Sequence, residues 1–377
     1  MRQFAQRTLP AWNRAVLKVG SSLLADLSGE LTERNARPLA QFIAASRSAG
    51  RAVVLVSSGA VAAGRARVPA ATSRASLVLR QALAALGQTR MIALWQGLIE
   101  APVAQVLLTH DDLRNRRRYL NARNTLLELL HQGCVPIVNE NDTVAVEELK
   151  LGDNDNLAAT VAALIDADLL LIASDVDGLF SEHPLRNPAA RPVESVAAIT
   201  PAVLAMAGEP GSVHGTGGMR TKLEAAQKAA SAGIATILFN GADPTCTCLL
   251  PAGKYRGTCF DAPQTRLAAR KYWLGHASAA SGSIRVDAGA AQALRGGKSL
   301  LPGGIVGVDG EFARGDIVEI VLAEPHGIIA RGLAQYNAGE VRRLAGHHTR
   351  EIETILGFSY GDTVVRRDDL VTLEGPA

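Results

Sequence analysis

The chain has 377 residues, of which 47% are hydrophobic and 4% aromatic. That length supports two domains and a large core, and the composition excludes a disordered chain. The net charge of +3 is unevenly spread: ten Lys/Arg stand against thirteen Asp/Glu from Ser281 onward, while the preceding residues hold 29 and 23. The front part therefore leans towards anionic ligands, and the tail lacks the basic excess of a strong nucleic-acid binder.

Residues 1–13 contain no apolar h-region, so no secretory signal is expected. The most apolar stretch, 157–173, is broken by Asp166 and Asp168 and falls short of the ~20 clean apolar residues of a membrane span. Cys134, Cys246, Cys248 and Cys259 form no C-x-x-C pair and have no matching His spacing. A reduced, cytoplasmic protein with incidental thiols is expected.

In chain order, residues 15–19 read as a short buried strand running into Gly20-Ser21-Ser22. A helix follows from a Thr32 cap to Ala49, with Gly50 as its stop. Residues 52–56 and 103–108 are further strands, 119–131 has helical spacing, and 135–138 is a strand ending in Asn139-Glu140-Asn141-Asp142. Residues 157–165 read as a helix, 169–173 as a buried strand, 221–232 as a helix and 234–239 as a strand. Continuous apolar strands separated by helices predict an α/β fold, a mostly parallel sheet sandwiched by helices. The character changes near residue 262. Domains are expected at 1–262 and 281–377, joined by a linker over 263–280. The tail carries short β runs at 283–286, 304–308, 317–322 and 328–332, with turns at Gly310 and Gly315, so a small β-rich domain is expected.

Five polar clusters fall where strands end or helices begin, the place where open parallel sheets bind ligands. Lys18-Val19-Gly20-Ser21-Ser22 suits an anion, with close backbone approach at Gly20 and a point charge at Lys18, or is a surface lysine before an ordinary turn. Ser57-Ser58-Gly59-Ala60 opens a helix-like stretch whose N–H groups attract carboxylate or phosphate, or is a simple serine cap. Asn139–Asp142 suits an ammonium group or a metal-bound water, or a turn with Asx bonds. Gly152-Asp153-Asn154-Asp155-Asn156 leads into a helix and reads as a cap plus acidic first turn, which leaves its packed carboxylates and carboxamides unexplained; it lacks the Gly and distant Glu of a calcium loop. Gly215–Lys222 places glycines and a lysine before a helix, as a phosphate cradle does, but is neither a Walker A loop nor a dinucleotide fingerprint. His347 and His348 read as surface or packing residues, and Arg116-Arg117-Arg118 as a solvated helix face.

Together the clusters resemble the amino acid kinase family, and within it the bacterial members that act on glutamate. The matching text is LKVGSS (17–22), VSSGAVAAG (56–64), LNARNTL (120–126), VPIVNENDTV (135–144), LGDNDNLAA (151–159), ASDVDGLF (173–180) and GTGGMRTK (215–222). The tail adds SLLPGGI (299–305), RGD (314–316), Tyr336-Asn337 and AGHHTREI (345–352). The resemblance implies an amino acid kinase fold in front, a PUA domain behind, and transfer of the ATP γ-phosphate to the side-chain carboxylate of L-glutamate. Clusters NEND and GDNDN with a β-rich tail argue against members acting on aspartate, N-acetylglutamate, carbamate or UMP.

Carried over, the resemblance makes Lys18, Lys222 and Asp155 the catalytic group, with Asp155 orienting both lysines. It assigns glutamate to Ser58, Asp142, Asn154 and, at the pocket edge, Asp153. It assigns ATP to Lys18, Ser174, Asp175, Thr216, Gly217, Gly218, Met219, Arg220, Thr221 and Lys222. Ser174 stands where relatives often carry Thr, and Arg220 where they carry a smaller residue. Mg²⁺ is expected mainly through the ATP phosphates, without a dedicated protein metal site. The resemblance further implies a homo-oligomer (dimer or tetramer) and feedback inhibition by L-proline. No membrane partner is expected, and no RNA binding by the PUA domain.

Overall fold

The computed structural model describes residues 3–26, 30–68, 76–145, 154–184, 186–207, 218–262, 280–324 and 327–373. Three of the candidate site residues, Asp153, Thr216 and Gly217, lie outside these, as does almost all of the expected linker. The chain divides into two compact units, one of Met1–Arg114 and Ala122–Arg266, the other of Asn115–Asn121 and Leu267–Ala377. Among the described residues no helix is long and apolar enough to cross a membrane.

The strands of the first unit are β1 (Arg7–Thr8), β2 (Arg14–Val19), β3 (Ala52–Ser57), β4 (Val103–Leu108), β5 (Val135–Glu140), β6 (Leu169–Ser174), β7 (Ser195–Val196), β8 (Ala235–Asn240), β9 (Lys254–Tyr255) and β10 (Thr258–Phe260). Eight of them form one sheet in the order β4-β5-β3-β2-β6-β8-β10-β7. The run from β4 to β8 is parallel throughout. β10 pairs antiparallel to β8 and parallel to β7. The central strands are apolar at nearly every position because helices cover both faces, so neither set of side chains meets water. β1 and β9 make a separate antiparallel pair.

Among the described residues up to 262, the helices are α1 (Ser21–Leu24), α2 (Glu33–Ser48), α3 (Ala60–Arg65), α4 (Leu77–Leu98), α5 (His110–Arg114), α6 (Arg116–His131), α7 (Asn154–Leu164), α8 (Pro201–Ala205), α9 (Met219–Ser231) and α10 (Pro244–Thr247). Thr32 caps α2 as expected, its hydroxyl accepting from the Arg34 amide at 3.2 Å. Arg117 and Arg118 are exposed on α6. One face of the sheet packs on α2 and α4 through Leu39, Phe42, Ile43, Met91 and Trp95. On the other, α7 and α9 pack against each other and the central strands.

The long helix α4 has no counterpart in the sequence reading. Its apolar residues are spread around the helix rather than confined to one stripe, so no 3.6-residue period stands out. Helix α7 begins at Asn154, three residues before the expected start at 157. That one turn puts Asn154 and Asp155 on the helix, as the reading of a cap with an acidic first turn allows.

Asp166 and Asp168, which break the apolar run, are both engaged. Asp166 has a left-handed backbone (φ 53°) and pairs with buried Arg123 at 2.6 Å. Asp168 accepts from the amides of Asn13 and Arg14 at 2.8 and 3.0 Å, fixing the start of β2. Burial pushes the Cys246 thiol up to about 12, and burial with the adjacent Asp261 carboxylate pushes Cys259 up to about 11. Both thiols therefore stay protonated at pH 8, whereas Cys248 is exposed. Iodoacetamide at that pH is expected to label Cys248 well before Cys246 or Cys259, read by peptide mass mapping of the native protein.

The second unit is built on β11 (Gly282–Val286), β12 (Ile305–Gly310), β13 (Ile317–Leu322), β14 (Gly327–Ala334) and β15 (Val365–Thr372), in the order β12-β11-β13-β14-β15. β15 was not expected, because Arg366-Arg367-Asp368-Asp369 interrupts its apolar pattern. Tyr336 is buried; its hydroxyl donates to the Gly361 carbonyl at 2.6 Å and accepts from the Tyr360 amide at 2.9 Å. Asn337 and Glu340 cap the helix Ala338–Leu344 reciprocally. His348 caps the next turn, its ring Nδ1 accepting from the Arg350 amide at 3.3 Å.

Candidate active site

In a strand, neighbouring side chains point to opposite faces. Leu17 and Val19 of β2 enter the core shared with α2 and α4. Lys18 between them must point the other way, towards the α7 side. It stands near the carboxyl end of β2, level with Val56 of β3 and Ile172 of β6. On that side the first turn of α7 offers Asp155, which is 0% exposed, and the first turn of α9 offers Lys222.

The Lys18 ammonium contacts Asp155 Oδ1. The Lys222 ammonium lies 3.2 Å from Oδ2, and the Thr221 hydroxyl donates to that same oxygen at 3.1 Å. Lys18 and Lys222 are each only 5% exposed. Both ammonium groups thus share one buried carboxylate. Lysines gathered in this way at the carboxyl ends of parallel strands suit an anionic ligand. The start of α9 lies here too: Gly218 caps it without a side-chain bond, and a helix N-terminus of this kind attracts oxyanions.

Beside the trio runs a ladder of amides and hydroxyls. Asn154 Nδ2 donates to Ser58 Oγ at 2.7 Å and to Asn139 Oδ1 at 2.9 Å. Asn139 in turn donates to Gln88 Oε1 of α4 at 2.9 Å. Ser58 is held by its own amide on the Val19 carbonyl at 3.1 Å. The turn after it needs Gly59, whose φ of 104° lies where side chains are rarely tolerated. Behind it, Ser57 Oγ accepts from Trp95 Nε1 at 2.8 Å in the core.

Asp142 sits half-buried in the turn after β5. Ser174 ends β6 and donates to the exposed Asp175 carboxylate at 3.2 Å. Asp177, two residues on, accepts from Asn240 at the end of β8 at 2.8 Å. Arg220 pairs with Glu224 one turn along α9 at 2.8 Å. Among the described residues, no group of three or more His, Cys, Asp or Glu side chains could hold a metal ion.

The family model for the amino acid kinase family matches residues 13–240, which carry the trio and the ladder, and that for the PUA domain matches residues 282–356. The chain belongs to the amino acid kinase family. A glutamate 5-kinase of Xanthomonas oryzae pv. oryzae is 62% identical, over 95% of this chain and 100% of that protein. A glutamate 5-kinase of Xylella fastidiosa (strain M12) is 58% identical over 98% of both. The amino acid kinase fold and the PUA domain expected from the sequence are therefore present. Sequence reasoning missed Gln88 and Trp95 at this site. Neither sits in a polar cluster, and both belong to the unforeseen α4. Asn139 stood in a noted cluster, but only the structure shows it bonded to Asn154.

Proposed function

We propose that this chain transfers the γ-phosphoryl group of ATP to the side-chain carboxylate of L-glutamate, yielding L-glutamyl 5-phosphate and ADP, the first committed step of proline synthesis. The observation that carries this reading is the convergence of Lys18 and Lys222 on Asp155, next to the Asn154–Ser58 ladder, in a chain 62% identical to a glutamate 5-kinase over nearly its whole length.

A side-chain carboxylate is ionised at neutral pH, so the nucleophile needs no general base. Its oxygen attacks the γ-phosphorus. The bond from that phosphorus to the β–γ bridging oxygen breaks, and the electron pair leaves with ADP. No proton moves. The difficulty is bringing two anions together while charge spreads over the phosphoryl oxygens. Lys18 and Lys222 offset that charge, and Asp155 pairs with both ammonium groups. Ser58, Asn154, Asp142 and Asp153 hold the glutamate backbone groups, with Asp142 the partner for the ammonium. Ser174, Asp175 and residues 216–222 hold the nucleotide. Mg²⁺ would be held mainly through the ATP phosphates, where it would supply charge neutralisation, and the carboxylates of Asp175 and Asp177 are hard oxygen donors that would suit it there.

The catalytic domain over 1–262 works, in this reading, in a cytoplasmic homo-oligomer, with the tail regulatory rather than RNA-binding. L-Proline competes with glutamate for its pocket.

The test is purified protein with MgATP, L-glutamate and hydroxylamine. The acyl phosphate should be trapped as the hydroxamate in step with ADP release. Millimolar L-proline should slow the reaction most at subsaturating glutamate. Turnover of another acid with none of glutamate would refute the assignment.

A further inference from the structure

We infer that Gln88 is a positioning residue for the glutamate subsite: through Asn139 it fixes which atoms of Asn154 and Ser58 meet the substrate. The inference rests on the glutamate reading above.

Gln88 lies on the inner side of α4, whose other buried residues are Leu83, Ala84, Gly87, Met91 and Trp95. It is 7% exposed, and among the described residues its buried Nε2 has no hydrogen-bond partner. A polar side chain held in apolar surroundings with an unsatisfied donor works against stability. What it gains is one bond, its Oε1 accepting from Asn139 Nδ2 at 2.9 Å.

That bond sets a direction. A primary amide has two N–H donors and one carbonyl acceptor. With its nitrogen committed to Gln88, Asn139 turns its carbonyl oxygen to Asn154 Nδ2 at 2.9 Å. Asn154 spends its other N–H on Ser58 Oγ at 2.7 Å. Both Asn154 donors are then used, which leaves its carbonyl oxygen to accept. Ser58 Oγ has accepted, so its own hydroxyl proton is left to donate. The subsite offers an acceptor for an ammonium group and a donor for a carboxylate, the two charged ends of an α-amino acid. Remove Gln88 and Asn139 is free to turn over. Asn154 can then present N–H groups where an ammonium must bind.

Gln88→Met keeps the length of the side chain and deletes both polar atoms, whereas Gln88→Glu keeps an acceptor facing Asn139. For Gln88→Met the KM for glutamate is expected to rise about tenfold, the size of one lost positioning bond, with the KM for ATP changed by less than about twofold. Gln88→Glu should hold the glutamate KM within about threefold of wild type, since the accepting atom remains. In an Asn154→Ala background Gln88→Met should add little, because the two act as one chain. An unchanged glutamate KM in Gln88→Met would overturn the inference, as would parallel rises in both KM values with a lowered melting temperature. Additive effects with Asn154→Ala would do the same. These outcomes leave wild-type glutamate turnover intact. A wild-type protein inert to glutamate would instead defeat the functional reading, and this inference with it.

Discussion

Lys222→Ala is expected to lower kcat by about 10²–10³ while the fold survives, the usual loss when one preorganised charge donor is taken from a phosphoryl or oxyanion site. Lys222 is buried in the first turn of α9, and its ammonium lies 3.2 Å from Asp155. Truncation removes a cation that must meet the transferring group, and leaves Asp155 paired with Lys18 and Thr221. The carboxylate is thus still satisfied, which is why stability should change little. Asp155→Asn should behave differently. It removes the carboxylate that both buried ammonium groups share, and breaking a buried pair costs about 3–5 kcal/mol, so both melting temperature and kcat should fall. Lys222→Arg should not restore activity, because a planar fork cannot replace a compact point charge at this spacing. Stopped hydroxamate assays with thermal melts on the three variants decide this. Near-normal glutamate turnover by Lys222→Ala would remove the role given to that lysine.

These residues were visible in the sequence to different degrees. Lys18 stood out because an apolar strand buried on both faces leaves a lysine conspicuous, and β2, β3, β5 and β6 were legible for the same reason. Asp155 was recognisable as a cluster member. A helix cap with an acidic first turn was one reading of that cluster, and the helix does start at Asn154 with Asp155 in its first turn. Helix α4 was invisible because its faces differ too little in polarity, and Gln88 and Gly87 went with it. A single glutamine in such a helix acquires meaning only when folding brings Asn139 to it from 51 residues away.

Gly87→Ala is the second large expected effect. A Cβ at Gly87 would lie 1.8 Å from the Ala60 carbonyl oxygen and 2.5 Å from the Gly64 nitrogen. Gly64 mirrors it, its Cβ position being 1.9 Å from the Leu83 carbonyl oxygen. Backbone meets backbone here, so no side chain can yield and α3 must move off α4. Overpacking of this kind costs about 1–3 kcal/mol, and the upper end applies where a whole helix shifts. The melting temperature should fall on the order of 6–12 °C for a unit of this size. Because α3 directly follows Ser58 and Gly59, the KM for glutamate should rise more than that for ATP. Unchanged stability in Gly87→Ala would mean that the two helices are not locked together at this crossing.

The pairing of β10 with β8 bears on where this protein can be divided. The family match ends at residue 240, the last residue of β8. The sheet continues: β10 (Thr258–Phe260) hydrogen-bonds along the free side of β8, and β7 closes over β10 in turn. Tyr255 and Cys259 share the main core with Phe239. A chain cut after Asn240 would leave β8 as a raw apolar edge, a template for pairing with another molecule. The stretch that carries the family likeness is shorter than the stretch needed to seal its own sheet.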